Sequence, residues 1–376
     1  MKILVNSLLS NGCFSGVQYS TENLLEAISS RKPSGDHIEA LVSEDYRGVL
    51  MEKGNFYLKC AGFSTANRSK RIFFENFRLG SYFSNNGFDL YHSTGYVLPF
   101  FSDIPSVATI HDLISIDFPQ YCKNETALYY GLCLPRTVRK AKKIIAVSDT
   151  VKRDILRHFS VHPDKIEVIY HGVERIFRKI ACAERLDRVV VKYKLPSQFL
   201  LYVGNLEPKK NIGRIIEAYT RIREHAGIRQ KLVIAGRKGW KYDDIFQMVK
   251  QHRMEEDVIF TGYVEREDLP CLYSLADLLV FPSLYEGFGL PVLEAMACGL
   301  PVLVSDRGAL PEIAGDVYPR VDPYDVDDIA RKILVFLGNE ELRERNIAYG
   351  YKRVNAFSWE KAADATLAVY DKLLKI

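Results

Sequence analysis

Apolar positions along this chain come in short runs separated by amphipathic stretches. Ile3–Val5 is followed by a Gly/Ser loop and a helical pattern at Tyr19–Ile28. His37–Val42, Leu90–His92, Val107–Ile110, Ile144–Val147 and Ile166–Ile169 are the next apolar runs, and Ser148-Asp149 stands where a cap would start a helix through His158. Such alternation predicts parallel strands covered by helices on both faces. A second series opens at Phe199–Val203. It continues through the helical pattern Ile212–Glu224, the run Lys231–Ala235, the helical pattern Asp243–His252, and the runs Val258–Thr261, Leu278–Phe281 and Pro301–Val304. Between the series, Phe177–Pro196 is charged, lacks a strand pattern and ends in Leu-Pro-Ser, so it reads as a boundary. The expected fold class is α/β, with two doubly wound Rossmann-like domains at residues 1–188 and 189–355. Residues 356–376 read as an amphipathic closing helix capped by Ser358. A ligand is expected between the domains, at the carboxyl ends of strands.

Composition narrows the class. The 376 residues are 47% hydrophobic and 26% charged, enough for two cores and too apolar for wholesale disorder. A net charge of +4 is too mild to argue for nucleic acid. Its distribution is uneven: residues 1–190 hold 25 Lys and Arg against 20 Asp and Glu, and the remainder 26 against 27. Seven cysteines, among them Cys13, Cys60 and Cys298, show neither CxxC nor metal spacing, which fits a reduced cytoplasmic protein. The N-terminus reads as a first buried strand rather than a signal peptide. No apolar run approaches the roughly 18 residues of a membrane span, so membrane contact is expected to be peripheral at most.

The segment Phe281-Pro-Ser-Leu-Tyr-Glu-Gly-Phe-Gly-Leu-Pro-Val-Leu-Glu294 carries the chemistry. Gly287 and Gly289 flank Phe288, and Leu290-Pro291 suits a helix start. Glycines before a helix let backbone N–H groups approach an anion, and the helix dipole favours negative charge there. That is what holding a diphosphate requires. Glu286 on the loop and Glu294 inside the helix are carboxylates able to accept pairs of hydroxyl hydrogen bonds, as sugar and ribose diols offer. The plainer alternative is a glycine-rich turn with a capping glutamate.

These residues carry a resemblance. EGFGLPVLEAMACGLPV, from Glu286, resembles the signature of glycosyltransferase family 4, in particular its bacterial mannosyltransferase-like members. Leu201–Asn211 (LYVGNLEPKKN) is similar to the family's donor-phosphate loop. Ala235–Trp240, Val304-Ser-Asp306, Leu310-Pro-Glu312, Val321-Asp-Pro323 and Phe357–Glu360 follow the pattern too. In the first half Ser15-Gly-Val17, Ile110-His-Asp112, Ile145–Ser148 and Tyr170–Val173 are similar landmarks.

The resemblance implies a GT-B fold, an N-terminal acceptor domain, a C-terminal nucleotide-sugar domain, and a last helix crossing back to the first domain. It implies that Glu286 contacts the donor hexose, Glu294 the ribose, and Lys210 the diphosphate, whose charge grows as the bond breaks. Gly16, expected on the loop after the first strand, would let backbone N–H groups close on the phosphates. His111 would lie near the reacting sugar, with Asp112 orienting its loop or meeting the acceptor. Asn205 stands where many members carry a cationic arginine; Arg237 or Lys209 is expected to compensate. The implied reaction retains anomeric configuration by a front-face route, the departing phosphate helping to deprotonate the acceptor. The expected donor is a nucleotide sugar, GDP-mannose by analogy with the Gly239-Trp240 and His111-Asp112-Leu113 patterns. The expected acceptor is a glycan or lipid-linked glycan in surface polysaccharide (lipopolysaccharide) assembly.

No metal is expected, since Asp325-Val-Asp-Asp328 and Asp243-Asp244 read as helix starts. The stretches Arg136–Lys143 and Arg68–Phe74 are basic and suit either solvated helix faces or an anionic membrane. Two other functions fit the same fold: a sugar-nucleotide epimerase, or a non-catalytic binding subunit.

Overall fold

A parallel strand buried on both faces needs apolar side chains at nearly every position, and most strands here have them. The computed structural model describes residues 1–10, 16–31, 36–315 and 319–374; Cys13 and Ser15 lie outside them. The chain forms two units, Met1–Gly172 with Ser358–Ile376, and Val173–Phe357.

In the first unit the order is β1 (Lys2–Asn6), α1 (Gly16–Ser29), β2 (His37–Val42), β3 (Phe56–Cys60) and α2 (Arg68–Phe73), which runs on through a π-helical turn (Phe74–Arg78). Next come α3 (Leu79–Asn86), β4 (Leu90–Ser93), β5 (Ser106–Ile110), α4 (Ile114–Asp117), α5 (Asn124–Lys140), β6 (Lys143–Ala146), α6 (Asp149–His158) and β7 (Ile166–Val168). The sheet order is β3-β2-β1-β4-β5-β6-β7, all parallel. The chain therefore reverses its direction of travel across the sheet between β1 and β4. Every residue of β4 and β5 is buried. Ser148 caps α6 as expected, its Oγ accepting from the Val151 N–H at 3.1 Å.

The second unit opens with α7 (Ala183–Tyr193), β8 (Phe199–Val203), α8 (Ile212–Ala226), β9 (Lys231–Ala235), α9 (Asp243–Gln251) and β10 (Val258–Gly262). It continues with α10 (Leu269–Leu275), β11 (Leu278–Phe281), α11 (Leu290–Ala297), β12 (Val302–Ser305), α12 (Leu310–Ala314), β13 (Arg320–Val321), α13 (Val326–Gly338) and α14 (Glu340–Val354). The sheet order is β10-β9-β8-β11-β12-β13, again parallel. The reversal falls between β8 and β11.

The division falls at Gly172/Val173, not at residue 188. The charged stretch after Phe177 is no linker. Phe177 is buried edge-on against Tyr273, with ring centres 6.0 Å apart. Ser274 accepts from Lys179 Nζ at 2.9 Å and from the Ile180 N–H at 2.9 Å. Residues 173–196 are thus part of the second core.

The closing helix α15 (Trp359–Leu374) belongs to the first unit. Ser358 Oγ accepts from the Lys361 N–H at 3.1 Å, capping it. Arg31, just beyond α1, grips Asp364 with two hydrogen bonds of 2.6 and 2.7 Å. Tyr370 is buried, and its hydroxyl meets His92 Nδ1 at 2.6 Å; His92 Nε2 meets Thr109 Oγ1 at 2.8 Å.

Burial in this contact lowers the His92 pKa to about 3. An imidazole with a depressed folded pKa adds stability above its unfolded value, near 6.5, and that stability is lost as pH falls. The loss amounts to about 2 kcal/mol at pH 5 for His92 alone. Thermal melts from pH 7 to 5 should show this slope, and His92→Gln should flatten it; equal slopes in the two proteins would rule the account out.

Candidate functional site

The reversal between β8 and β11 is where an open α/β sheet leaves a crevice at its carboxyl edge. Two loops occupy it. One leaves β8 and enters a single 3-10 turn, Pro208–Lys210; the other leaves β11 and reaches α11. The Leu284 N–H donates to the Lys209 carbonyl at 2.8 Å. Asn211, at φ 61°, donates its side-chain amide to the carbonyls of Pro282 (3.0 Å) and Pro323 (2.6 Å). These bonds lock the loops together and bring two sequence-distant charges into contact. Lys210 Nζ donates to Glu286 Oε1 at 2.6 Å and lies 5.4 Å from the centre of the Phe281 ring.

Glu286 is buried. Burial alone raises a carboxyl pKa, but the Lys210 and Lys209 charges outweigh it and hold Glu286 below its ordinary value. Glu286 is therefore held as the carboxylate. The backbone around it is equally constrained. The Ala309 N–H donates to the Glu286 carbonyl at 2.9 Å. Gly308, at φ +58°, passes so close that a Cβ there would lie 2.5 Å from the Glu286 carbonyl oxygen. Gly289, at φ +109°, opens α11, and a Cβ on it would lie 2.7 Å from Leu310 Cδ2. Phe288 is buried edge-on to Phe357. Gly287 lies with it in the same buried loop, and Leu290 is the first helical residue.

Of the two residues expected to compensate for Asn205, Lys209 is the one whose charge bears on Glu286. Arg237 lies on the neighbouring loop, where its carbonyl accepts from the Leu206 N–H at 2.9 Å and its guanidinium stacks 4.1 Å from the centre of the Tyr263 ring. Asn205 sits beside these on the β8 loop, its carbonyl accepting from the Tyr202 hydroxyl at 3.4 Å.

Glu294, on α11, is buried and fully engaged from within. Arg266 donates to Oε1 at 2.9 Å and the Tyr273 hydroxyl to Oε2 at 2.8 Å. Arg266 also bonds Glu174, through Nε at 3.1 Å and through a terminal nitrogen, and its guanidinium lies 4.6 Å from the centre of the Phe177 ring. Burial opposes the guanidinium charge, but the two carboxylates reverse that and raise its pKa. Sequence reading missed Arg266, Tyr273 and Glu174, because only the fold brings them to Glu294. A ribose hydroxyl reaching Glu294 would share oxygens already holding these two donors.

In the first unit His111 and Asp112 follow β5, as expected. His111 is buried, and its Nε2 lies 2.7 Å from the Thr94 carbonyl. A carbonyl only accepts, so Nε2 carries the proton and Nδ1 is the acceptor. Burial lowers the His111 pKa, outweighing the Thr94 and Asp112 contributions, so the ring is neutral. It lies among rings: Tyr96 at 5.4 Å, His171 at 5.4 Å, and Trp359 5.3 Å beyond His171. Tyr96 holds φ 72°, a conformation side chains seldom adopt. Asp112 Oδ1 accepts from the Ile114 N–H at 3.4 Å. Gly16 is not on a loop: it is the first residue of α1, with open space where a Cβ would stand.

A further polar group gathers here unforeseen. Glu75, in the π-helical turn, accepts from Asn6 Nδ2 at 3.0 Å, and burial raises its pKa despite Arg71 nearby. Asp325 caps α13, accepting from the Asp327 and Asp328 N–H groups at 2.9 and 3.0 Å. Among the described residues no group of three His, Cys, Asp or Glu side chains is arranged to hold a metal ion.

Residues 14–175 match the family described as Glycosyltransferase Family 4, and residues 185–353 match Glycosyl transferases group 1. Sucrose-phosphate synthase from Thermosynechococcus elongatus superposes with a TM-score of 0.80 at 22% identity, covering 100% of this chain and 99% of that one. The fold is therefore GT-B. O-antigen chain mannosyltransferase B of Escherichia coli is 37% identical over 286 residues, 76% of this chain and 74% of that protein. The serotype-specific mannosyltransferase WbdA of Escherichia coli is 30% identical over 300 residues, 76% of this chain but 36% of that longer protein. This chain belongs to glycosyltransferase family 4 and is a glycosyltransferase.

Two substitutions test the packing of the site. Gly308→Ala, which forces a side chain at positive φ against Glu286, should destabilise the protein by about 1 kcal/mol or more. Gly338→Ala, where nothing lies within 4 Å, should be neutral or slightly stabilising. Equal melting temperatures would show the approach to be unconstrained. Separately, Arg266→Met strips the counter-ion from buried Glu294 and should cost about 3–5 kcal/mol in denaturant unfolding; an unchanged midpoint would refute the pairing.

Proposed function

We propose that this enzyme moves mannose from GDP-mannose, with retention of configuration, to a glycan or lipid-linked glycan acceptor in surface polysaccharide assembly. One observation carries the reading: the contact of half-buried Lys210 with buried Glu286 at the switch point of the second sheet. A nucleoside diphosphate leaving group gains negative charge as its bond to the sugar breaks, and a fixed ammonium beside that bond favours the charged state. Lys210, fixed by its bond to Glu286, suits that role. Glu286, kept anionic, suits acceptance of hydroxyl hydrogens from the donor hexose. The names of the two Escherichia coli relatives, both mannosyltransferases, support mannose as the sugar and O-antigen-like glycans as the product class.

The step balances without a metal or other cofactor. The bond from the sugar's anomeric carbon to the diphosphate oxygen breaks, an acceptor hydroxyl oxygen bonds to that carbon, and its proton passes to the departing phosphate. Neutral His111, with Nδ1 accepting, contributes orientation of a hydroxyl rather than charge. The nucleotide sugar is placed on the second unit, with Gly287, Phe288, Gly289 and Leu290 around its phosphates, and the acceptor on the first. The chain works on the cytoplasmic side.

The test is a thermal-shift panel of GDP-, UDP- and ADP-sugars followed by a transfer assay. GDP-mannose should raise the melting temperature most. Lys210→Met should lower turnover about 100- to 1000-fold, and Glu286→Gln should also impair transfer while the protein stays folded. Stabilisation by another nucleotide class would replace the donor. Isomerised nucleotide sugar formed without acceptor would replace transfer by epimerisation.

A further inference from the structure

Large apolar side chains exposed on a soluble protein are usually scattered. Here six stand on adjoining elements of the first unit: Phe73, Phe77, Phe100, Phe101, Leu128 and Leu132. Contacts join them into one surface. Phe73 lies 5.5 Å from Phe77, and Phe77 stacks 5.3 Å from Phe100. The Arg136 guanidinium lies 4.3 Å from the centre of the Phe100 ring and donates to the Leu98 carbonyl at 2.9 Å. Leu128, Leu132 and Arg136 follow one another at i, i+4 along α5, so they form one stripe. Arg68 donates to Thr126 Oγ1 at 3.1 Å and Asn76 Nδ2 to the Tyr129 hydroxyl at 3.0 Å, which keeps α2 and its π-helical turn beside α5. Phe101 and Leu132 are each 70% exposed, so the rings and chains at the edges of the stripe project into solvent.

Charge accompanies the apolar face. Residues 68–78 carry four Lys and Arg to one acid, and residues 124–143 carry five to one. The acid of the first segment, Glu75, is turned inward to Asn6, and Arg71 follows it as its ion-pair partner at 3.7 Å, so Arg68, Lys70 and Arg78 are the cations this segment brings. Aromatic and aliphatic side chains ringed by cations are what an anionic lipid surface binds: the apolar groups enter the headgroup layer and the cations meet phosphates. A second copy of this chain would bring like charge to like charge. A soluble acidic glycan would meet the cations but leave the exposed phenylalanines and leucines in water.

We propose that the face formed by α2, its π-helical turn, the Phe100-Phe101 loop and α5 docks on an anionic bilayer. The proposal rests on the lipid-linked acceptor given above and adds its geometry. Tyr130, half a turn around α5 from Leu128 and Leu132, packs 5.1 Å from Tyr96, which packs against His111. One helix, about 10 Å thick, thus separates the lipid-facing stripe from the rings around His111. An acceptor anchored in the bilayer keeps its lipid there and presents its sugar end a helix width away.

The experiment is flotation of the full chain with vesicles of phosphatidylcholine alone or mixed with phosphatidylglycerol, without any sugar donor. Binding is expected to the mixed vesicles only, weakening as salt rises from about 0.1 M to about 0.5 M. The pair Phe77→Ser with Leu132→Ser, and separately Lys70→Glu with Arg139→Glu, should each reduce binding tenfold or more. Both should keep the wild-type melting temperature and transfer to a short soluble acceptor. Equal binding to neutral vesicles, no binding at all, or unaltered binding by both pairs would overturn the proposal. So would self-association that the serine pair abolishes, which would assign the face to a second copy, or capture of acidic glycan without vesicles. If flotation succeeds while no nucleotide sugar is used, the functional reading fails and the docking face stands.

Discussion

A buried carboxylate held against an ammonium needs a rigid frame, because separating them leaves the carboxylate without water or partner. Lys210 and Glu286 meet that condition because β8 and β11 are neighbours in the sheet although β9 and β10 lie between them in sequence. Strand order brings the two loops together, Asn211 ties them through the Pro282 carbonyl and anchors itself to that of Pro323 beyond β13, and Gly308 makes room for the Glu286 backbone. Remove any of these and the charge pair has no fixed place. The chemistry of the second unit follows from topology first and from side-chain identity second.

The first unit is organised by a different constraint, exclusion of charge. His92 in β4 and His111 just after β5 are buried with pKa values pushed down, so both rings are neutral. The Thr94 carbonyl sets the His111 tautomer. One unit therefore offers fixed opposite charges and the other offers neutral hydrogen-bonding groups.

Most strands were legible because buried parallel strands have no polar face to confuse the pattern. β3 was not read, because Phe56–Cys60 is an edge strand with one buried residue and a lysine, Lys59, next to its end. α7 escaped because its charged face dominates and Val189 is its single buried residue, so a folded helix read as a linker. α5 was hidden by Gly131 and by Pro135 inside it. In the site, Glu286, Lys210 and the glycines were legible because loop chemistry is written in consecutive residues. Arg266 was not: its partners lie 92 residues before it and 28 after, and nothing local marks it. The His111 residue was readable, its tautomer was not, since the deciding acceptor is a main-chain oxygen.

The position of α15 has a consequence for biosynthesis. Its partners, Arg31 and His92, are made early, while Asp364 and Tyr370 follow the whole of the second unit. A nascent chain leaving the ribosome can complete Val173–Phe357 while the earlier unit still lacks its final helix, with the pocket for Tyr370 open. The portion translated first is thus the last to close, and it spends that interval as an incomplete domain of the sort chaperones bind.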